Sequence, residues 1–334
     1  MSEFDSHVRS QWFPIALSSC VATRPRRVLL FDEPIALGRD QGGRIFALED
    51  RCPHRGARLS DGKFVDGALT CPYHGWRFDR HGRCIAMPGA QGEKPFADIR
   101  APSLSAEECE GIVWVARSPR RGLPGRILDM QPGRQRFLWE TTWHAPILEA
   151  QENFLDALHT HTIHRGLVRR VTQRCEVTVT LCTTDDGFHV DYNGQTRQSG
   201  LLFTLFESRR TRERAYFSGL SVGQLEYQYA AGWAAYVTLC FCPETATTTR
   251  VFAMLHLDGR RAARWLVRLL VWPFLRAIAH QDQRILESQA HNLRAFPSHR
   301  HVITPLDVVR PNLERAWRGE EVKAHEQTEV LMCL

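Results

Sequence analysis

Two short loops in the first quarter of the chain each combine one cysteine with one histidine. The first reads Cys52-Pro-His54 and, after sixteen further residues, the second reads Cys71-Pro-Tyr-His74. Two thiolates and two imidazoles on neighbouring loops can form a closed metal site. That ligand set suits a tetrahedral structural zinc ion, or an iron–sulfur cluster with both cysteines on one iron and both histidines on the other. Cysteines of an ordinary core are a third possibility.

The distribution of the ligands between the loops favours the iron–sulfur cluster. Zinc knuckles usually place a cysteine pair within one loop. The loops CPHRG and CPYHGW resemble the Rieske family instead, and Gly56 and Gly75 would let the backbone approach the cluster. Ala57 and Tyr73 stand where high-potential Rieske proteins have a disulfide, so the resemblance is to the low-potential oxygenase type. It implies four cluster ligands: Cys52, His54, Cys71 and His74.

A second set of candidate ligands lies between Glu152 and His164. Asp156 and His159 are three residues apart and would share one face of a helix. His164 follows His159 by five residues, about 140° around an ideal helix, so both imidazoles reach one ion only if the helix bends or ends between them. The β-branched residues at 160–163 favour such a break. Two histidines and one carboxylate with open positions form the facial triad of non-haem Fe(II) oxygenases.

This segment resembles the D-x2-H-x4-H motif of the Rieske non-haem iron oxygenases. The resemblance implies that His159 and His164 bind the mononuclear iron. In that family the third ligand is an aspartate on a late helix, and the run HQDQRILESQ at 280–289 matches it, which implies Asp282. Glu287 is the alternative carboxylate. His161 points away from the face of His159 and is expected to be a bystander.

The resemblance gives Asp156 a catalytic role without making it a ligand. In the family this residue joins the two redox centres by hydrogen bonds, here from His159 to the cluster ligand His74 of a neighbouring subunit. The alternative is that Asp156 only orients His159.

The resemblance covers residues 12–289, and the Thr-rich run at 242–255 is similar to the monooxygenase and O-demethylase branch, typified by vanillate and dicamba demethylases. It implies a homotrimeric enzyme that uses O2 to hydroxylate or dealkylate an apolar or aromatic small molecule at a mononuclear Fe(II) site. Electrons would come from NAD(P)H through a separate reductase or ferredoxin, because the chain has no GxGxxG or flavin motif.

Other functions remain compatible with the same ligands. A ring dioxygenase that forms cis-diols, or an oxidative cyclase or desaturase, would use the same scaffold. A Rieske electron carrier with an inactive second domain and a zinc-binding interaction module are the alternatives that are not enzymes.

The elements that must position these residues divide the chain into two parts. Short β runs separated by Gly-rich turns predict a small all-β Rieske domain at 1–125, with a Pro/Gly/Arg-rich linker at 118–136. Residues 126–334 predict a catalytic domain of the α+β class, an antiparallel sheet around a helix (helix-grip or START-like). Its helices are expected at 147–161 and from about 259 to 295, and its strands include runs at 200–208, 215–222 and 224–241. Strand segments at 201–205, 217–221 and 233–239 are candidates for the substrate pocket.

Composition is that of an ordinary soluble protein. The 334 residues include 43% hydrophobic and 24% charged residues, which excludes a disordered or coiled-coil chain. A net charge of +6 is too small to indicate nucleic-acid binding.

The chain is expected in the cytoplasm, with its ten cysteines reduced. Its start lacks the pattern of a signal peptide. The most apolar stretch, 265–278, is interrupted by Arg268, Pro273 and Arg276 and is too short to span a membrane. A membrane partner is therefore not expected. This stretch is predicted to pack on its own domain, with a helix lying on a membrane surface as the alternative.

Overall fold

The computed structural model describes residues 3–90, 98–119, 121–124, 127, 135–169, 174–194, 208–259, 263–320 and 325–334. The chain divides into two compact units. The first comprises Met1–Leu123 and Cys242–Ala246, and the second comprises Pro124–Phe241 and Thr247–Leu334. Most of the predicted linker at 118–136 lies outside the described residues.

The first unit is built from short strands. Its described elements are α1 (Glu3–Arg9), β1 (Phe13–Leu17), β2 (Arg26–Leu30), β3 (Glu33–Arg39), β4 (Ile45–Glu49), β5 (Lys63–Val65), β6 (Ala68–Thr70), β7 (Arg77–Phe78), β8 (Cys84–Ala86), β9 (Ser105–Cys109) and β10 (Ile112–Ala116). They form three antiparallel sheets in the orders β1-β10-β9, β2-β3-β4 and β5-β6-β7-β8. One buried cluster joins Phe46, Leu69 and Phe78 to Cys52 and Cys71, so both predicted thiolate ligands rest against the core of this unit.

A buried carboxylate closes the loop that carries Cys52 and His54. Asp50 directly follows β4, and its two oxygens accept hydrogen bonds from the Ser60 N–H and the Ser60 hydroxyl, both at 2.7 Å. Ser60 belongs to the 3-10 turn Leu59–Asp61 at the far end of the loop. The loop is thus fixed at both ends by one side chain.

The second unit contains one eight-stranded antiparallel sheet. Its strands are β11 (Gln135–Trp143), β12 (Glu176–Thr184), β13 (Gly187–Asn193), β14 (Arg210–Ser218), β15 (Val222–Tyr229), β16 (Trp233–Thr245), β17 (Thr248–Asp258) and β18 (Gln327–Cys333). The order is β11-β17-β16-β15-β14-β13-β12-β18. Sequential hairpins build the centre of the sheet, while β11 and the C-terminal strand β18 form its edges.

Three helices belong to the described part of this unit, of which the first two pack on the sheet and the third packs on the first. They are α2 (Ile147–Leu155), α3 (Trp272–Ala295) and α4 (Val309–Arg318), and α3 is preceded without interruption by a helical turn at Arg264–Leu266 and a π-helical turn at Val267–Val271. A buried cluster joins Phe241 and Val251 of the sheet to Ala150 of α2 and Leu286 of α3. This packing confirms the predicted α+β class. Among the described helices, none combines the length and apolarity needed to cross a bilayer.

The structure differs from the predicted elements in several places. The helix predicted at 147–161 ends at Leu155. The β runs predicted at 215–222 and 224–241 are each divided by a turn, at 219–221 and at 230–232. Local apolarity does not reveal these turns, because the residues on either side belong to the same buried sheet. Helix α4 and strand β18 were not predicted, and the β run predicted at 200–208 lies almost entirely outside the described residues.

We expect Asp50→Ala to destabilise the first unit by about 2–4 kcal/mol, because two buried donors on Ser60 lose their acceptor. It should also speed the loss of the predicted iron–sulfur cluster. Asp40 is a matched control, since its buried carboxylate accepts hydrogen bonds from the Arg44 N–H at 2.8 Å and Nε at 2.7 Å in the β3–β4 hairpin. Denaturant titration and bleaching of the visible absorption measure both effects. Equal bleaching rates in Asp50→Ala and Asp40→Ala would contradict the loop-closing role.

Candidate metal centres

The two Cys/His loops share one pattern of backbone hydrogen bonds. In the first, the Cys52 N–H donates to the carbonyl of Ala57 at 2.8 Å, and the Gly56 N–H donates to the carbonyl of Cys52 at 2.9 Å. In the second, Cys71 makes the same two bonds, with the carbonyl five residues ahead at 2.8 Å and the N–H four residues ahead at 3.1 Å. Each loop is therefore a tight turn that begins at its cysteine.

The glycine in each loop is required by backbone conformation. Gly56 has φ +73° and Gly75 has φ +70°, in the left-handed region that strains other residues. A Cβ atom at Gly75 would also lie 2.9 Å from Cγ of Pro88, whereas the space around Gly56 is open. Both loops therefore need glycine to make the turn itself, in addition to any close approach to a cluster.

The two cysteines meet below the surface. Cys52 and Cys71 are each 2% exposed. Burial, together with the adjacent Cys71 thiol, raises the pKa of the Cys52 thiol to about 11. A buried thiol pair of this kind ionises only beside a strong positive charge, such as a metal ion.

The two histidines lie beside one another. The His54 ring stacks on Trp76, with centroids 4.4 Å apart and planes inclined by 3°, and its centroid is 4.5 Å from that of His74. The Nδ1 atom of His54 is buried and has no hydrogen-bond partner among the described residues. An unpaired buried ring nitrogen next to a second imidazole fits an iron ligand. The four predicted residues therefore have the chemistry that a [2Fe–2S] cluster requires.

The second site begins where α2 ends. The chain becomes extended at Asp156 (φ −85°, ψ 127°) and then forms a 3-10 turn, Leu158–His161. The Asp156 carboxylate accepts the N–H of Leu158 at 3.1 Å. A short acidic side chain that competes in this way for a backbone N–H favours the end of a helix. The helix ends before His159, earlier than predicted, and the turn allows both histidines to face the same point.

Three ligand atoms from two distant segments converge in the second unit. The Nε2 atoms of His159 and His164 are 3.3 Å apart. Oδ1 of Asp282, on α3, lies 3.0 Å from Nε2 of His164 and 3.6 Å from Nε2 of His159. Adjacent ligands in an octahedron with bonds of about 2.1 Å are about 3 Å apart. The three atoms are close enough to bind one ion from the same side, as a facial triad requires.

The electrostatics of the triad suit a cation. His164 and Asp282 are buried, and the imidazoles of His164 and His159 are the groups that face Asp282 Oδ1. Burial lowers the pKa of His159 to about 4, which leaves this imidazole neutral at pH 7 and able to bind a metal. For His164, burial opposes the charged form, but the hydrogen bond and charge of Asp282 outweigh it and raise its pKa.

Gln281 is a site residue that the sequence analysis missed. Its Oε1 atom lies 2.9 Å from Nδ1 of His164. An acceptor at this distance holds the proton on Nδ1 and directs the Nε2 lone pair toward the triad. The only signal in the sequence is its position next to Asp282. The Nδ1 atom of His159 has no side-chain acceptor among the described residues, so the two imidazoles are held differently.

The structure separates the other candidates from the triad. Glu287 accepts a hydrogen bond from Gln283 at 2.9 Å and lies outside the cluster of ligand atoms. His161 is buried and is likewise not part of it. Asp156 contacts the backbone of Leu158, and burial raises its pKa to about 6.

The triad lies on the wall of a cavity of about 280 Å³. Four adjacent strands, β11, β17, β16 and β15, contribute alternate residues at 139–143, 251–255, 235–239 and 225–229. That spacing is one face of the sheet. Val271, Phe274, Leu275 and Ile278 line the opposite wall at helical spacing.

Only part of the predicted pocket lines this cavity. The segment at 233–239 contributes alternate residues, while 217–221 does not contribute. The segment at 201–205 lies outside the described residues. Polar side chains also line the cavity, among them Asn153 and the buried Arg169, whose Nη2 atom is 3.8 Å from Oε1 of Glu213.

Both units match known protein families. Residues 11–100 match the Rieske [2Fe-2S] domain. Residues 143–316, more than half of the chain, match the vanillate O-demethylase oxygenase C-terminal domain.

Curated relatives match over part of the chain. Aminopyrrolnitrin oxygenase of Pseudomonas fluorescens is 32% identical over 171 residues, which are 48% of this chain and 47% of that protein. The oxygenase component of dicamba O-demethylase from Stenotrophomonas maltophilia is 39% identical over 123 residues, 36% of each protein. The chain thus spans less than half the length of these relatives.

Solved structures match almost the whole chain. Dicamba monooxygenase bound to dicamba superposes with a TM-score of 0.77 at 22% identity, over 93% of this chain and 97% of that one. NdmA of Pseudomonas putida CBB5 with caffeine gives a TM-score of 0.75 at 20% identity, over 95% and 92%. At these identities the likeness establishes the fold.

We expect Gln281→Leu to weaken metal binding at the triad about 10- to 100-fold, because His164 loses the acceptor that orients it. Competition with a chelator for Fe(II) or Co(II) measures this dissociation constant, and the visible absorption of the first unit should not change. Gln283→Leu is the control, since Gln283 lies on the same helix and contacts Glu287 instead. Equal metal affinity in the two variants would exclude the orienting role of Gln281.

Proposed function

Because the chain belongs to the family of Rieske oxygenases with a vanillate O-demethylase C-terminal domain, we propose that it is an oxygenase component that hydroxylates or dealkylates an apolar or aromatic small molecule. One observation supports this most strongly. The ligand atoms of His159, His164 and Asp282 lie 3.0–3.6 Å apart on the wall of an apolar cavity. A closed structural metal site would have no such cavity beside it.

The two sites would hold different cofactors. We propose Cys52, His54, Cys71 and His74 as ligands of the [2Fe–2S] cluster, and His159, His164 and Asp282 as ligands of Fe(II). When bound, the iron would supply O2 activation and the cluster would supply electrons. Three protein ligands on one face leave the opposite positions open for water or O2.

The cavity residues would select a flat, apolar substrate. Trp139, Trp143 and Phe154 provide aromatic surfaces, and Trp139 is fixed by an edge-on contact with Trp272 at 4.8 Å. Apolar strand residues keep the space beside the triad dry, which strengthens polar contacts inside it. Substrate would lie next to the iron without binding it.

One polar group in the cavity is suited to orient the substrate. Oδ1 of Asn153, on α2, is buried and has no hydrogen-bond partner among the described residues. A buried acceptor that lacks a donor is unfavourable unless a ligand provides one. We therefore expect a substrate with an O–H or N–H group on its ring or side chain.

Electrons would come from a separate reductase or ferredoxin and ultimately from NAD(P)H. Arg55 and Arg58 lie in the exposed part of the first cluster loop, and neither forms an ion pair with a carboxylate that the structure describes. A positive surface beside the cluster suits an acidic electron carrier.

We propose that Asp156 transfers electrons between the centres of neighbouring subunits in a cytoplasmic homotrimer. Its burial and its place three residues before His159 support this role. In the described residues its carboxylate contacts the backbone of Leu158 and makes no hydrogen bond to the His159 ring. Both the bridge and the alternative, direct orientation of that ring, therefore require the carboxylate to turn toward His159.

Turnover with methyl ethers and N-methyl aromatic compounds tests the function. With a ferredoxin, its reductase, NADH and ¹⁸O2, we expect a demethylated product and formaldehyde in step with O2 uptake. Asp282→Ala removes a proposed iron ligand, so turnover should fall by more than about 100-fold, the largest loss expected when only a residue that orients a ligand is removed. The cluster absorption should remain. Glu287→Ala is the control and should stay active. Wild-type turnover in Asp282→Ala would contradict the proposed iron site.

A further inference from the structure

The start of the long helix has apolar side chains on two opposite faces. Its inner face packs on the second unit, where Val267 is buried and Phe274 and Ile278 line the cavity. This contact confirms the prediction that the stretch packs on its own domain. An amphipathic surface helix would have polar residues on the other face.

The outer face is apolar as well. It consists of Trp265, Leu266, Leu269 and Leu270, which are 65%, 39%, 63% and 52% exposed. On a helix these positions lie side by side, one turn apart. Neighbouring large apolar side chains at such exposure mark an interaction surface, unlike single exposed residues.

Arginines flank this outer face. Arg264, Arg268 and Arg276 are exposed, and the sequence from 259 to 281 contains five arginines and no acidic residue. Arg268 and Arg276 form no ion pair with a described carboxylate, while Arg264 lies 5.9 Å from the ring centroid of Phe137. The partner must therefore combine an apolar interior with negative charge.

A second copy of the same face does not meet that requirement. A two-fold contact would bring arginines against arginines, since the face offers no carboxylate to pair with them. A bilayer with anionic lipids does meet it, because phosphate groups lie directly above the acyl chains. Tryptophan, leucine and arginine on one helical face are typical of helices that lie in a membrane interface.

We propose that the outer face of residues 264–276 binds the surface of an anionic lipid bilayer. Trp265, Leu269 and Leu270 enter the interface between headgroups and acyl chains, and Arg268 and Arg276 contact lipid phosphates. The helix lies on the membrane and does not cross it. A further part of the inference rests on the proposed function: the same helix lines the cavity, so the substrates are lipophilic compounds that partition into the bilayer.

Sedimentation of the cluster-loaded protein with vesicles tests the binding without any turnover. Vesicles of phosphatidylcholine with about 30% phosphatidylglycerol should bind the protein, and vesicles of phosphatidylcholine alone should bind it much more weakly. The tryptophan emission should shift to the blue on binding, and Trp265→Phe should remove most of that shift.

Two double variants separate the apolar and charged contributions. Leu269→Ser with Leu270→Ser should reduce binding at least about tenfold. Arg268→Gln with Arg276→Gln should reduce binding to anionic vesicles about 25-fold, at about fivefold per arginine. Val302→Ser with Ile303→Ser is the control, since these residues are 83% and 49% exposed outside this helix. Cluster absorption and the melting temperature verify that each variant is folded.

The inference is overturned if the wild-type protein does not sediment with anionic vesicles, or if the control variant loses as much binding as the leucine variant. It is also overturned if the wild-type protein does not bind vesicles and the leucine variant has a different mass of the assembly in solution, because the face would then join two copies. A protein that binds vesicles and demethylates water-soluble aromatic compounds but no lipophilic ones would overturn the substrate part of the inference. A protein that binds vesicles and turns over neither kind would contradict the proposed function and leave the membrane contact intact.

Discussion

The second unit depends on one constraint: it must hold two imidazole nitrogens and one carboxylate oxygen close together below the surface. These atoms of His159, His164 and Asp282 all carry lone pairs and lie within 3.6 Å of one another. Such an arrangement is unfavourable in a low-dielectric interior unless a proton or a metal cation lies between the lone pairs. The surrounding structure must hold it in place, and a metal ion stabilises it once bound.

Helices α2 and α3 and the sheet together hold the triad in place. Helix α2 ends at Leu155, so the following turn can direct both histidines to one point. Helix α3 supplies Asp282 and, through the adjacent Gln281, the acceptor that orients His164. Packing of both helices on the sheet keeps the two segments together, and the same face of the sheet forms the cavity. Metal site and cavity are therefore products of one packing arrangement.

The first unit builds its candidate site from residues that are close together in the sequence. Each cluster loop is a tight turn with a left-handed glycine, and each brings one thiol and one imidazole from within a few residues. This difference explains what the sequence could predict. Cys52, His54, Cys71 and His74 stand in short motifs with fixed spacing, so their sites are readable without tertiary structure. Asp282 was accessible only through the family resemblance, because no local pattern links it to His159.

Other features depend on tertiary contacts and were missed. Gln281 has no distinguishing pattern of its own, and its role exists only because α3 packs next to His164. The predicted helix at 147–161 ended early because the Asp156 side chain competes for the N–H of Leu158. Of the predicted pocket segments that the structure describes, 233–239 lines the cavity and 217–221 does not, since alternate apolar residues on a sheet look alike whichever face borders the cavity.

The central claim is that this chain holds two separate iron centres, and counting its metals tests it most directly. Iron, zinc and acid-labile sulfide should be measured per chain in anaerobically purified protein and in His159→Ala. The account predicts about three irons and about two sulfides in the wild-type protein, and about two of each in the variant. Zinc in place of iron and sulfide, or the same iron content in both proteins, would contradict it.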